Sequence, residues 1–179
     1  LGMNQIKTEL EDRAFPYVNR IDYEKVRTLI KERGGERKKY IGKVYRSLVK
    51  LLASNDMRDV QVDYRIKGTY SIYHKLLKHD MDVAKLYDLY ALRVIVPQVE
   101  DCYKILGIIH SMWKPVPGRI KDYISNPKIN GYKSLHTTVF TGDGGVAEIQ
   151  VRTDEMNREA EYGIAAHLIY KDGKHRNRA

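Results

Sequence analysis

Arg65 and Lys67 stand two residues apart in a stretch that alternates like a strand, which puts both cations on one face. Ser71 and Lys75 follow at i and i+4 on an expected helix, so four phosphate-compatible groups fall within eleven residues around the turn Gly68-Thr69. The N-terminus of a helix attracts anions, although an exposed strand edge guarded by positive charge would read the same way. Arg93 interrupts the apolar run 91–96, where an unpaired guanidinium is costly, so it should face a carboxylate or a bound anion. Asp88, just upstream, is the nearest structural partner. Glu148, Gln150 and Arg152 alternate with Ile149 and Val151 and share one strand face, as the solvated face of an antiparallel sheet would also do. Asp88 and Glu148 brought together across a sheet would suit Mg²⁺, which takes one or two carboxylates with waters and phosphate oxygens. Tyr132, beside Gly131 and flanked by Lys128 and Lys133, is a platform on which a base could stack, with Lys and Arg meeting phosphates. His136 suits either a phosphate or a packed interior.

Elements must hold these groups. Tyr23, Val26, Leu29 and Ile30 recur at helical spacing from 22 to about 33, and Gly34-Gly35 is expected to end that helix. A second helix over 36–54 stripes Ile41, Val44, Leu48, Leu51 and Leu52 along one side. Strand 60–67, helix 69–80, central strand 91–96 and helix 99–112 follow. Residues 114–133 hold three of the five prolines and read as a long functional loop. Strands over 134–141 and 145–152 form a hairpin across Gly142-Asp143-Gly144-Gly145, and a last helix spans 154–170 with Ala160, Gly163, Ile164 and His167 on one face. The order predicts an α+β domain with a mixed β-sheet, containing βα units and an antiparallel hairpin.

The 179 residues carry 32 Lys+Arg against 23 Asp+Glu, for a net charge of +9, with 42% hydrophobic residues. That hydrophobic share can bury a core, which excludes a disordered basic tail. The longest apolar run, 89–92, is far below the roughly 20 residues of a membrane span, and the polar residues 1–13 do not read as a signal peptide. Cys102 is the single cysteine, so no internal disulfide is expected and the compartment is read as the reducing cytoplasm. The opening Leu-Gly-Met reads as a piece of something longer. The charge is clustered: +6 over 31–50, +4 over 65–79, +4 over 114–136 and +3 over 171–179. The first and last clusters suit a solvated helix face and a frayed terminus. The middle two mix cations with Tyr, Ser, Asn, Gly and His.

These residues together resemble the (p)ppGpp synthetase domain of long, bifunctional RelA/SpoT-type stringent-response enzymes. The likeness is carried by Arg65-Ile-Lys67 with Tyr70-Ser71-Ile72 and Lys75; Tyr87-Asp88-Leu89 with Ala91-Leu-Arg93; and Pro117-Gly-Arg119-Ile-Lys121-Asp122-Tyr-Ile. It continues through Asn130-Gly-Tyr132-Lys-Ser-Leu-His136-Thr-Thr, Glu148-Ile-Gln150-Val-Arg152-Thr and Glu161-Tyr-Gly163-Ile-Ala-Ala-His167, all in family order. The resemblance implies a nucleotidyltransferase-like sheet over 57–171, a helical segment over 1–56 and a basic tail over 172–179. It implies transfer of the ATP β,γ-pyrophosphate to the 3′-OH of GDP or GTP with Mg²⁺, releasing AMP. Arg65, Lys67, Ser71, Lys75 and Arg93 would hold ATP; Asp88 would bind the metal, and Glu148 would assist it or deprotonate the hydroxyl. Tyr132 would stack on guanine, with Lys121, Lys128, Asn130, His136 and Gln150 toward the acceptor. The basic form Arg119-Ile-Lys121-Asp122 suggests GDP over GTP, and Tyr64 stands where the family often has glycine. Hydrolase and regulatory domains of a full-length chain are expected as neighbours. Another enzyme of this fold that transfers NMP, and a basic RNA-binding module, are the competing readings; carboxylates set among the cations speak against the latter.

Overall fold

The computed structural model describes residues 4–78 and 90–163. Among them lie helices α1 (Asn4–Val18), α2 (Arg20–Ser54), α3 (Thr69–Leu77), α4 (Val99–Met112) and α5 (Asp154–Tyr162). The strands are β1 (Gln61–Ile66), β2 (Tyr90–Val96), β3 (Lys121–Asp122), β4 (Leu135–Phe140) and β5 (Val146–Thr153). They form one mixed sheet in the order β1-β2-β5-β4-β3, with β2 and β5 parallel and every other pair antiparallel. The α+β expectation holds, and so does the β4–β5 hairpin.

Side-chain alternation divides the sheet into an apolar face and a polar one. Leu92 and Val94 of β2 lie in register with Ile149 and Val151 of β5 and are fully buried. Against them pack Ile41, Val44, Leu48 and Leu52 of α2 with Cys102, Ile105 and Ile109 of α4. Burial pushes the Cys102 thiol up to about 12, so it behaves as a small apolar side chain. The opposite face carries charge and is flanked by α1, α3 and α5.

Gly34-Gly35 does not end a helix: α2 is continuous for 35 residues. Each glycine costs about 1 kcal/mol of helix propensity, and packing on both sides outweighs it. Upstream, Val26 with Leu29 and Ile30 packs on Ile72 and Leu76 of α3; downstream, the apolar stripe packs on the sheet. The helix starts behind Asn19, whose side chain accepts the Asp22 backbone N–H at 3.2 Å. Helix α1, within the expected helical segment, is anchored by buried Phe15, which packs on Tyr23, Tyr70 and Tyr73 at ring distances of 4.9 to 5.6 Å.

The last helix is shorter within the described residues than its apolar spacing suggests. Thr153 caps its start by accepting Met156 N–H, and Gly163, at φ +84, ends it after Tyr162. Ile164 and His167 lie outside the described residues. The long loop 114–133 contains the short strand β3, which pairs Lys121 with His136. Tyr64, in the position where glycine was anticipated, stacks on Tyr45 with ring centroids 4.8 Å apart. Among the described residues no helix is long and apolar enough to cross a membrane.

Candidate active site

Register assembles the polar face. Asp63 of β1 pairs with Arg93, Arg93 with Gln150, Gln150 with His136 and His136 with Lys121, so one row of polar side chains crosses all five strands. Glu148 and Arg152 flank Gln150 on the same face. The solvated-face reading of this trio fails, because Gln150 and Arg152 are only 1% and 4% exposed and Glu148 is largely covered.

A continuous chain of contacts joins the row. Arg65 Nη1 donates to Gln150 Oε1 at 2.8 Å, and Gln150 Nε2 donates to Glu148 Oε1 at 2.9 Å. His136 Nδ1 lies 3.4 Å from Glu148 Oε1, and its Nε2 lies 2.8 Å from the Tyr132 hydroxyl. Burial alone would raise the Glu148 carboxyl, but hydrogen bonds from His136 and Gln150 and the nearby Lys67 charge outweigh it and hold the group at about 2. An ionised carboxylate only accepts, so the tautomer that satisfies the chain has Nδ1–H directed at Glu148 and Nε2 accepting from Tyr132. His136 is thereby a member of the site and not an isolated packed histidine.

Beside this chain opens a cleft of about 820 Å³ lined by Arg65, Lys67, Ser71, Arg93 and Tyr132, together with Arg152, Glu161 and one side of α1. Arg93 does find a carboxylate: its Nη1 donates to Glu161 Oε1 at 2.7 Å, with Asp63 at 3.8 Å. Asp88, the partner suggested by sequence, lies outside the described residues, so its part in an ion pair or a metal site is not placed. Among the described residues no group of three His, Cys, Asp or Glu is clustered to hold a metal. Lys75 follows Ser71 one turn along α3 and is half-buried, away from the cleft lining.

At the turn Gly68-Thr69 the anion is the chain's own. Asp12 of α1 accepts the Tyr70 backbone N–H through Oδ1 at 2.8 Å and caps α3, whose N-cap residue, Gly68, has no side chain to do so. A Cβ at position 68 would fall on that carboxylate, so a larger residue there would displace the Asp12 side chain from the cap.

The loop side is built around aromatic rings. Lys128 Nζ sits 4.6 Å from the Tyr123 ring centroid and 5.4 Å from that of Tyr132, and Tyr132 meets His136 edge-on. Asn130 Oδ1 accepts Tyr132 N–H at 3.2 Å, shaping the turn that presents the ring. Lys121, Lys128 and Asn130 are exposed and outside the cleft lining. Asp122 works internally: it accepts from Ile124 N, Ser125 N, the Ser125 hydroxyl and Tyr103, and so fixes the loop.

Sequence reasoning did not single out Asp12 or Tyr123, and assigned no role to Arg152 or Glu161. The last two sit inside recognisable motifs. Asp12 gives no local signal, since its partner is 58 residues away.

A family model described as a region found in RelA/SpoT proteins matches residues 64–175. A GTP pyrophosphokinase of Streptomyces antibioticus is 46% identical over 171 residues, covering 96% of this chain and 20% of that protein. The bifunctional (p)ppGpp synthase/hydrolase RelA of Mycobacterium tuberculosis is 41% identical over 177 residues, covering 99% and 24%. The chain thus spans about a fifth to a quarter of these curated relatives. Among solved structures, small alarmone synthetase 1 of Bacillus subtilis bound to its product pppGpp superposes with a TM-score of 0.52 at 28% identity, covering 82% of this chain and 81% of that one.

Proposed function

Since this chain belongs to the RelA/SpoT family, we propose that it is a (p)ppGpp synthetase domain, transferring the β,γ-pyrophosphate of ATP to the 3′-OH of GDP or GTP. Residues 57–171 form the catalytic unit in this reading, with 1–56 as a helical segment packed on it. The observation that carries it is the joining of a cation-lined cleft to an aromatic platform by the chain Arg65, Gln150, Glu148, His136, Tyr132. Such a site can seat two nucleotides with their reacting groups side by side.

Phosphoryl-type transfer asks mainly for positioning and for neutralisation of charge spread over phosphate oxygens. Arg65, Lys67, Ser71 and Arg93, which line the cleft, hold the donor phosphates, and Lys75, one turn beyond Ser71, adds positive charge on the same helix. Tyr132 stacks on guanine, Asn130 shapes its turn, and Lys121, Lys128, His136 and Gln150 orient the acceptor. The 3′-oxygen bonds to the β-phosphorus, the bond from that phosphorus to the oxygen shared with the α-phosphate breaks, and AMP leaves with that oxygen. The proton of the hydroxyl is released to solvent.

The donor chemistry at Glu148 fits Mg²⁺: a hard oxygen, ionised throughout the working pH range, beside a cation-lined cleft. Glu148 with Asp88 would hold the ion, which supplies charge neutralisation at phosphate oxygens. A carboxyl held at about 2 is a weak base, which favours that role and the orientation of His136 over proton abstraction. In this reading Asp122 serves the acceptor side indirectly, by fixing the loop that presents Lys121, and the basic loop favours GDP.

Incubation with Mg²⁺, ATP and GDP is expected to form AMP only when the guanine nucleotide is present. Glu148→Gln should lower that rate by at least about a hundredfold, the order of loss on removing a preorganised electrostatic group. Equal AMP formation without GDP, or full activity in Glu148→Gln, would contradict the assignment.

A further inference from the structure

Arg152 lines the cleft yet is only 4% exposed, and it is poorly paired for a buried cation. Its contact with Glu161 Oε1 is 4.0 Å, whereas strong guanidinium–carboxylate bonds run near 2.8 Å. Glu161 already accepts from Arg93 at 2.7 Å, and among the described residues Arg152 Nε finds no hydrogen-bond partner. Desolvation of a guanidinium costs several kcal/mol unless close acceptors offset it. The fold nonetheless keeps this fork in place, at the end of the Glu148, Gln150, Arg152 row. Burial, with Arg93 and Arg65 close by, pulls the group below its ordinary value, so it sits in a field that calls for an anion.

Position says which anion. Arg152 lines the same cleft as Arg65 and Arg93, assigned above to the donor, and as Tyr132, assigned to the acceptor, and it feels the charge of all three. It therefore stands at the seam between the two nucleotides. We propose that Arg152 grips the pyrophosphoryl group that passes between them, making it a direct phosphate ligand beyond the donor set above; this rests on the transferase reading.

Arg152 should then recognise the β- and γ-phosphates and ignore the rest of the donor. Binding of α,β-methylene-ATP, AMP and GDP to the intact chain, measured by calorimetry for wild type, Arg152→Met and Arg152→Lys, separates the possibilities. Arg152→Met is expected to weaken α,β-methylene-ATP by about tenfold or more, the worth of a charged hydrogen bond, while AMP and GDP change by less than about threefold. Arg152→Lys, which keeps the charge without the planar fork, should fall between. If Arg152→Met does not give a cooperative melting transition, the same comparison on Arg152→Lys decides. Unchanged affinity for the ATP analogue, equal loss for AMP, or a loss confined to GDP would overturn the assignment. A wild-type chain that binds neither nucleotide would instead overturn the transferase reading, and this proposal with it.

Discussion

Glu148 shows how a buried charge becomes a site. Its carboxyl loses solvent, yet His136, Gln150 and the Lys67 charge together more than compensate, and the group settles at about 2 against an ordinary 4.5. A folded value below the unfolded one stabilises the fold fully above about pH 4.5, and that contribution is lost as pH falls toward 2. The shift corresponds to at most about 3 kcal/mol. Chemical denaturation between pH 6 and 2 should therefore show a decline in the wild type that is shallower in Glu148→Gln. Parallel curves would mean that the hydrogen bonds do not favour the ionised form. Arg65, Lys67, Arg93 and the Glu148, Gln150, Arg152 trio were legible because strand alternation assigns a face, and Ser71 because it opens the helix that follows. Alternation does not assign depth, which is why the trio also fitted a solvated face until the α5 side of the fold covered it.

Helix α3 and its turn show what escapes a local reading. Gly68 and Thr69 mark a helix start that looks open to an anion, and Asp12, far away in sequence, supplies that anion. Capping side chains contribute about 1 kcal/mol, so Asp12→Ala should lower the melting temperature by a few degrees, while Asp12→Asn, which keeps an acceptor, should cost less than half as much. Equal losses in both variants would show that the negative charge in the cleft, not the cap, is what matters. Helix α2 is the complementary case. The Gly34-Gly35 pair is a sound local stop signal, but Val26 and Leu29 on one side and Ile41 to Leu52 on the other are each gripped by a different part of the fold, and continuity wins. Strands β1, β2, β4 and β5 and helix α4 were readable because their patterns agree with their surroundings.

At the scale of the molecule, the chain order of the strands does not reveal their spatial order. β5 inserts between β2 and β4, and this places Gln150 between Arg93 on one side and His136 on the other, with Glu148 next along the same face of β5. The net charge of +9 is likewise informative only once located. Its share on 65–79 and 114–136 falls at the two ends of the polar row, one at the cleft and one at the aromatic loop, with carboxylates between them. A groove built to follow a nucleic-acid backbone would have no need of Glu148, whereas a two-nucleotide transferase does. Phosphorus NMR of the products from ATP and GDP with Mg²⁺ tests this most directly, because it reads which bond has formed. The expected products are AMP and a guanosine nucleotide bearing a new diphosphate on its 3′-oxygen; free pyrophosphate with a nucleotidylated product, or no reaction at all, would contradict the pyrophosphate transfer.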